Sequence, residues 1–213
     1  MNKTGIIGSA VVGQTLARGF KSHGYEVRIG SRTPAKLAGF SASEGIAAGT
    51  FAEVAAWADV VVLAVHGTAA EDAIRQAGGA ALAGKMVIDT CNPIKDAPPV
   101  DGVLQFFTGP NESLMERLQA AFPEVKFVKA FNSVGSARMV DPRFTRGRPT
   151  MFYCGNDEEA KRTAARILDE FGWDAADMGT AVAARAIELL CQLWCIPGFR
   201  QNTWTHAFAL LYE

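Results

Sequence analysis

The chain has 213 residues, 49% of them apolar and 20% charged, with a formal net charge of −1. That length suits one domain, with or without a small appendage, and is enough to bury a full core. The near-neutral balance gives no electrostatic reason to expect nucleic acid or an acidic membrane surface, and no apolar run approaches the roughly 18 residues that a bilayer span needs.

Residues 4–8, TGIIG, form a short apolar run that ends in glycine and reads as a strand. Because this first apolar segment already reads as a strand, no signal peptide is expected before it. Residues 10–23 carry Val11, Leu16 and Phe20 at helical spacing, and Gly24 is a stop signal. Residues 25–30, YEVRIG, predict a second strand, and Pro34 opens a short helix to residue 40. Another short helix covers 51–57. The valine-rich run 59–65, DVVVLAV, reads as a buried parallel strand. A helix follows over 68–82, weakened by Gly78 and Gly79, and then a strand over 86–90.

A loop of about twenty residues comes next, with Pro93, Pro98, Pro99 and Pro110; a structureless stretch of this length in a compact domain is usually functional. A helix over 111–122 and strands over 126–131 and 150–155 follow. Residues 157–171 predict a helix, and a short apolar segment surrounds Trp173. Two apolar helices, 180–196 and 199–212, close the chain. No internal repeat or low-complexity tract is present.

This alternation predicts an α/β fold, a doubly wound and mostly parallel Rossmann sheet, with a small C-terminal helical appendage. The expected division is a dinucleotide-binding domain over 1–179 and C-terminal helices over 180–213 that complete the cleft. The four cysteines, Cys91, Cys154, Cys191 and Cys195, form no C-x-x-C pair. Cys191 and Cys195 are four apart on a predicted helix, as core packing or as a redox pair. The default compartment is reducing and cytoplasmic.

Ligands of such sheets bind beyond the carboxyl ends of the strands. The first of these ends reads GIIGSAVVGQ, residues 5–14, close to the G-x-G-x-x-G fingerprint of a dinucleotide-binding turn. Gly8 supplies the tight turn and Gly13 the close helix packing, but Ala10 stands at the middle position. One methyl there shifts the pyrophosphate slightly and leaves the amides of Ser9, Ala10, Val11 and Val12 at a helix N-terminus to hold it. A glycine turn without a ligand reads the same way.

The second strand ends IGSR, with neither Asp nor Glu among residues 28–33. An acidic residue there would take the ribose 2′-hydroxyl of NAD. Ser31, Arg32 and Lys36 instead offer a hydroxyl and two cations, which suits the 2′-phosphate of NADP, although a solvated loop carries such charges too. His66 could donate to a phosphate or stand as an exposed loop residue. Asn92 and Asn132 could bond a carboxamide or cap their own strand ends. No Ser/His/Asp set and no metal-ligand spacing emerges, so no catalytic residue and no metal is assigned. That absence fits hydride transfer between two bound molecules, which needs positioning more than acid or base groups.

GIIGSAVVGQTLARGF, VRIGSRTPAKL, VIDTCNP and KAFNSV together resemble the coenzyme F-420-dependent NADP oxidoreductases, a family that includes the cytosolic NADPH domains of membrane ferric reductases. AARAIELLCQLW is similar to that family's C-terminal helix. The resemblance runs along nearly the whole chain and implies NADP as cofactor, with the S-R-x-x-x-K pattern on the 2′-phosphate. It places Ala64, Val65 and His66 against ribose and pyrophosphate, and Asn92, Pro93, Ala130 and Asn132 beside the nicotinamide. Ala10 departs from a position that is usually glycine. The implied hydride partner is the deazaflavin F-420 or a flavin. A small carbonyl or imine substrate, and a non-catalytic NADP sensor, stand as alternatives. The apolar residues of 180–212 spread around more than one helix face, which predicts a homodimer that covers them.

Overall fold

The computed structural model describes residues 3–211 and Glu213. Among the described residues, eight strands form one sheet: β1 (Lys3–Ile7), β2 (Glu26–Gly30), β3 (Ala47–Gly49), β4 (Val60–Leu63), β5 (Met86–Asp89), β6 (Lys126–Lys129), β7 (Thr150–Gly155) and β8 (Asp174–Asp177). Their order is β3-β2-β1-β4-β5-β6-β7-β8, parallel throughout except where β7 runs against β6. The register aligns the strand ends that matter. Gly30 and Leu63 both face Ile7, Leu63 faces Asp89, and Asp89 faces Lys129. The residues that follow, Ser31, Gly8, Ala64, Thr90 and Ala130, therefore share one edge.

Alternate side chains of these strands enter opposite cores. Ile6, Ile29, Val62, Ile88 and Val128 pack with Leu16 and Phe20 of α1 (Val11–Ser22) and Ile167 and Leu168 of α7 (Glu158–Glu170). Ile7, Val61, Leu63, Val87 and Phe127 pack on the other face. There they meet α3 (Phe51–Trp57), α4 (Ala70–Ala77), α5 (Gly79–Leu82), α6 (Leu114–Ala121) and α8 (Ala184–Gln201). The remaining helix, α2 (Ala38–Glu44), follows a 3-10 turn over Pro34–Leu37. Strand β4 is buried at all four positions, which is why it carries Val-Val-Val-Leu rather than an alternating pattern. Thr50 and Glu53 form a capping box at α3, as Ser113 and Glu116 do at α6, and the Asp157 side chain caps α7.

Three expectations change. The predicted 68–82 helix breaks at Gly78, whose φ of 86° leaves the helical region, into α4 and α5. Strands β3 and β8 carry AAG and DAAD, which give no strand pattern in sequence. The C-terminal pair of helices is one helix. Its axis continues through Pro197 to Gln201, and Asn202 ends it in the left-handed region at φ 52°. Residues 202–211 are non-helical, and Tyr212, the last residue of the expected second helix, lies outside the described residues. Tertiary contacts explain the tail. Trp194 donates from Nε1 to the His206 carbonyl at 2.8 Å, Thr150 N–H donates to the Phe208 carbonyl at 2.8 Å, and Leu210 N–H donates to Thr150 Oγ1 at 2.9 Å.

Helix α8 packs on the sheet. Ala184 and Ile187 belong to the same core as β4 and β5. With the turn that leads into it, Ala181–Gln201 is long and apolar enough to cross a membrane by length and composition alone, although Arg185 and Glu188 interrupt its apolar run. Its Glu188 is buried and ion-paired inside the protein.

Candidate functional site

A cleft of about 280 Å³ opens at the carboxyl edge of β1, β2 and β4. Its floor is the turn after β1. Gly8 has φ 133°, and a Cβ there would lie 2.0 Å from the Ala64 carbonyl oxygen; a Cβ on Gly13 would lie 2.1 Å from the Gly8 carbonyl oxygen. Glycine at both places lets α1 start directly against the strand. Ala10 is the N-cap of α1 and has no side-chain cap, so the helix presents its first-turn amides beside the cleft. Gln14 donates from Nε2 to the Ser9 carbonyl at 2.9 Å and holds the turn.

One wall carries Ser31, Arg32, Thr33 and Lys36. Ser31 is buried, and its Oγ accepts from Thr33 N–H at 3.1 Å. Arg32 and Lys36 are exposed and make no ion pair among the described residues. The other wall carries Ala64, Val65 and His66, then Ala69, Asp72, Ala73 and Gln76 from α4 and the turn before it. His66 is exposed, with Nδ1 2.9 Å from Thr68 Oγ1. Phe51 completes the lining.

The cleft thus brings together Gly8, Ser9, Ala10, Ser31, Arg32, Lys36, Ala64, Val65 and His66 of the sequence-predicted set. The sequence reading missed Thr33, Phe51, Ala69, Asp72, Ala73 and Gln76. A signal for the α4 residues existed: Ala69, Asp72, Ala73 and Gln76 recur at helical spacing just after the β4 end.

The remaining predicted residues do not line it. Val11 is exposed at the first position of α1, and Val12 packs on the core beside it. Ala130 is fully buried, and Pro93 is buried. Asn92 and Asn132 bond each other. Asn92 donates from Nδ2 to the Asn132 carbonyl at 2.8 Å, and Asn132 donates from Nδ2 to Asn92 Oδ1 at 3.0 Å and to the Ile187 carbonyl at 2.9 Å. Phe131 between Ala130 and Asn132 holds φ 61°, a conformation that costs a side-chain-bearing residue about 1–2 kcal/mol.

Behind these asparagines lies a charged cluster that the sequence reading missed. Lys129 Nζ is 2.6 Å from Asp89 Oδ2, 2.8 Å from Glu188 Oε1 and 2.7 Å from the Cys91 carbonyl, and all three side chains are buried. The Cys91 carbonyl accepts a hydrogen bond from the ammonium, and the two carboxylates pair with its charge. Burial alone would pull the Lys129 pKa down, but the Asp89 and Glu188 carboxylates outweigh it and hold it above the ordinary lysine value. Cys91 is the opposite case. Burial, then the Asp89 charge, push its thiol well above the usual range, and it donates to the Val65 carbonyl at 3.2 Å, so it is no nucleophile. Cys191 and Cys195 pack in a small apolar cluster with Leu104 and Trp194. No group of ligating side chains suited to a metal occurs among the described residues.

Fold and cleft define a Rossmann-type dinucleotide-binding protein. Residues 3–93 match the family described as NADP oxidoreductase, coenzyme F-420-dependent. A solved structure from Arthrobacter sp. FB24, named as an F-420-dependent NADP-reductase, superposes with a TM-score of 0.92 at 32% identity over the whole of both chains. The hypothetical protein SMa0349 of Sinorhizobium meliloti superposes with a TM-score of 0.73 at 29% identity, over 86% of this chain and 87% of that one. Metalloreductase STEAP3 of Rattus norvegicus is 32% identical over 201 residues, which are 92% of this chain and 38% of that protein. This chain therefore spans well under half of that curated relative's length. The chain belongs to the coenzyme F-420-dependent NADP oxidoreductase family.

Proposed function

We propose that this protein binds NADPH along the carboxyl edge of its sheet and passes the nicotinamide hydride to a deazaflavin such as coenzyme F-420, or to a flavin. The observation that carries the cofactor half is the wall of Ser31, Arg32, Thr33 and Lys36 at the end of β2, where no carboxylate stands to take a free ribose hydroxyl. In this reading the Arg32 guanidinium and Lys36 ammonium hold the 2′-phosphate, with the Ser31 hydroxyl beside them. The first-turn amides of α1 face the pyrophosphate across Ala10, and Val65 and His66 border the ribose. The dinucleotide then runs past Asn92 and Pro93 to Asn132, where its reactive ring would lie.

The bound cofactor supplies the hydride, and the chain supplies alignment and exclusion of water. No side chain is assigned a proton-transfer role. A small carbonyl or imine acceptor would need a proton donor, and of the tyrosines Tyr25 is engaged with Glu170 while Tyr153 is buried in the core. Tyr212 lies outside the described residues, and His66 is the described candidate left from the sequence reading. A deazaflavin or flavin ring needs no donor in the site, because after hydride transfer it can remain a delocalised anion or take its proton from solvent. The protein would work in the cytoplasm as a homodimer joined through α8. The deciding experiment is a binding titration with NADPH, NADH, the deazaflavin, FMN and FAD, followed by an oxidation assay with each second ligand that binds. Preference for NADH, or no turnover with any deazaflavin or flavin, would overturn this reading.

A further inference from the structure

Asp89, Lys129 and Glu188 carry two negative charges against one positive. Backbone N–H groups donate to both carboxylates. Asp89 Oδ1 accepts from Cys91 N–H at 2.9 Å, Glu188 Oε2 from Leu114 N–H at 2.9 Å, and Glu188 Oε1 from Met115 N–H at 3.1 Å. Lys129 stands between the two carboxylates. At their formal charges, two carboxylates against one ammonium leave the cluster with an excess negative charge in the interior. Backbone dipoles at the start of α6 soften that charge without cancelling it.

The location of this charge is specific. Lys129 donates to the carbonyl of Cys91, the residue before Asn92. Glu188 follows Ile187, whose carbonyl takes the Asn132 amide. The cluster is thus tied to Asn92 through Cys91 and to Asn132 through Ile187. It also clasps the 91–113 loop at both ends, through Cys91 at its start and Leu114 and Met115 just after it. As positional scaffolding alone, a buried ion cluster is a costly device, since apolar side chains of similar volume often serve stability as well.

We propose that the Asp89–Lys129–Glu188 cluster sets the redox preference of the bound nicotinamide, favouring the oxidised ring over the reduced one through its unbalanced negative charge. This rests on the reading that the nicotinamide end lies at Asn92 and Asn132. The oxidised ring is positively charged and the reduced ring is neutral, while the phosphates are the same in both. A buried negative charge therefore acts on the difference between the two forms, and it favours release of hydride to a flavin or deazaflavin ring. The three side chains are positioning and field-setting residues; none touches the reacting atoms.

The test is the ratio of dissociation constants for NADP+ and NADPH, measured by calorimetry on the full chain and on Glu188→Gln and Asp89→Asn. Each substitution removes one negative charge at nearly constant volume. NADP+ should bind the unaltered protein more tightly than NADPH, and in either folded variant the ratio should move about tenfold toward NADPH. Affinity for 2′-phospho-ADP-ribose, which lacks the nicotinamide, should stay within about twofold. A purely structural role would weaken both nucleotides together, and an unmoved ratio in a folded variant overturns the proposal. Tighter binding of NADPH than NADP+ to the unaltered protein overturns it as well, with no variant needed. Failure of both nucleotides to bind the unaltered protein would instead strike the dinucleotide reading itself.

Discussion

Asn92 and Asn132 grip each other across the carboxyl ends of β5 and β6, amide to backbone carbonyl at 2.8 Å and amide to amide oxygen at 3.0 Å. The second amide hydrogen of Asn132 goes to Ile187 on α8 at 2.9 Å. One side chain therefore ties two strand ends to the last helix. Truncating it in Asn132→Ala leaves Asn92 Oδ1 without its Asn132 donor and the Ile187 carbonyl without its side-chain donor. The expected loss is about 1–3 kcal/mol of stability, read by urea unfolding. NADPH oxidation should fall further than NADPH affinity does, because the adenosine end of the cleft is untouched. Equal losses in both would mean that the asparagine pair has no special relation to the reacting end.

Cofactor choice is tested at Arg32. The Arg32→Ala variant should lose NADPH affinity by roughly ten- to a hundredfold, the equivalent of about 1.5–3 kcal/mol for a charge-assisted phosphate contact. NADH, which has no 2′-phosphate, should bind almost as before. Arg32 is exposed and makes no ion pair among the described residues, so the fold should not respond. Parallel titrations with the two nucleotides decide the matter, and equal weakening would remove the guanidinium from the phosphate site.

Ala10 gives an independent probe of the pyrophosphate path. It is exposed, lines the cleft and caps α1 without a side-chain hydrogen bond. Ala10→Gly should be tolerated. Ala10→Leu should abolish nucleotide binding while circular dichroism remains that of the folded chain, because the added bulk projects into the cleft rather than the core. Undiminished affinity in the leucine variant would send the phosphates elsewhere.

The parts of this molecule that were legible in sequence share one property: their cause is local. DVVVLAV reads as a buried strand from its own unbroken run of apolar β-branched residues, and the turn after β1 reads as a binding loop because the positive φ of Gly8 and the approach of Gly13 to the Gly8 carbonyl lie within six residues, with Ala64 adding a distant contact at Gly8. The parts that were not legible depend on distant partners. AAG of β3 is a strand only because β2 offers it hydrogen bonds from Arg28 to Gly30. Residues 202–211 have the apolar content of a helix, but Trp204 fills the space over Gly198 and His206 stacks on Trp194. Lys129, Asp89 and Glu188 are ordinary charges in sequence, up to 99 residues apart, and only the register of β5 with β6 and the docking of α8 makes them one buried group.

The remaining prediction concerns assembly. Helix α8 buries Ile187, Cys191, Trp194 and Cys195 against the chain's own core, yet Leu189 is 45% exposed and Leu193 55%. These two are one turn apart and so share a face, with Phe199 also exposed further along the helix. A soluble helix that docks with one stripe has no need of leucines on its outer face. A second copy of the chain related by a two-fold axis would cover that face with the same residues, as an isologous contact requires. Light scattering at micromolar concentration should then give about twice the 22.7 kDa chain mass. Leu193→Lys should shift the protein to monomer without unfolding it, since the side chain points away from the core. Because Glu188 and Ile187 on the same helix hold the nicotinamide end in place, the monomeric variant should also lose NADPH oxidation activity. A protein that runs as a monomer with full activity before any substitution would refute the dimer and leave the outer leucines of α8 to another partner.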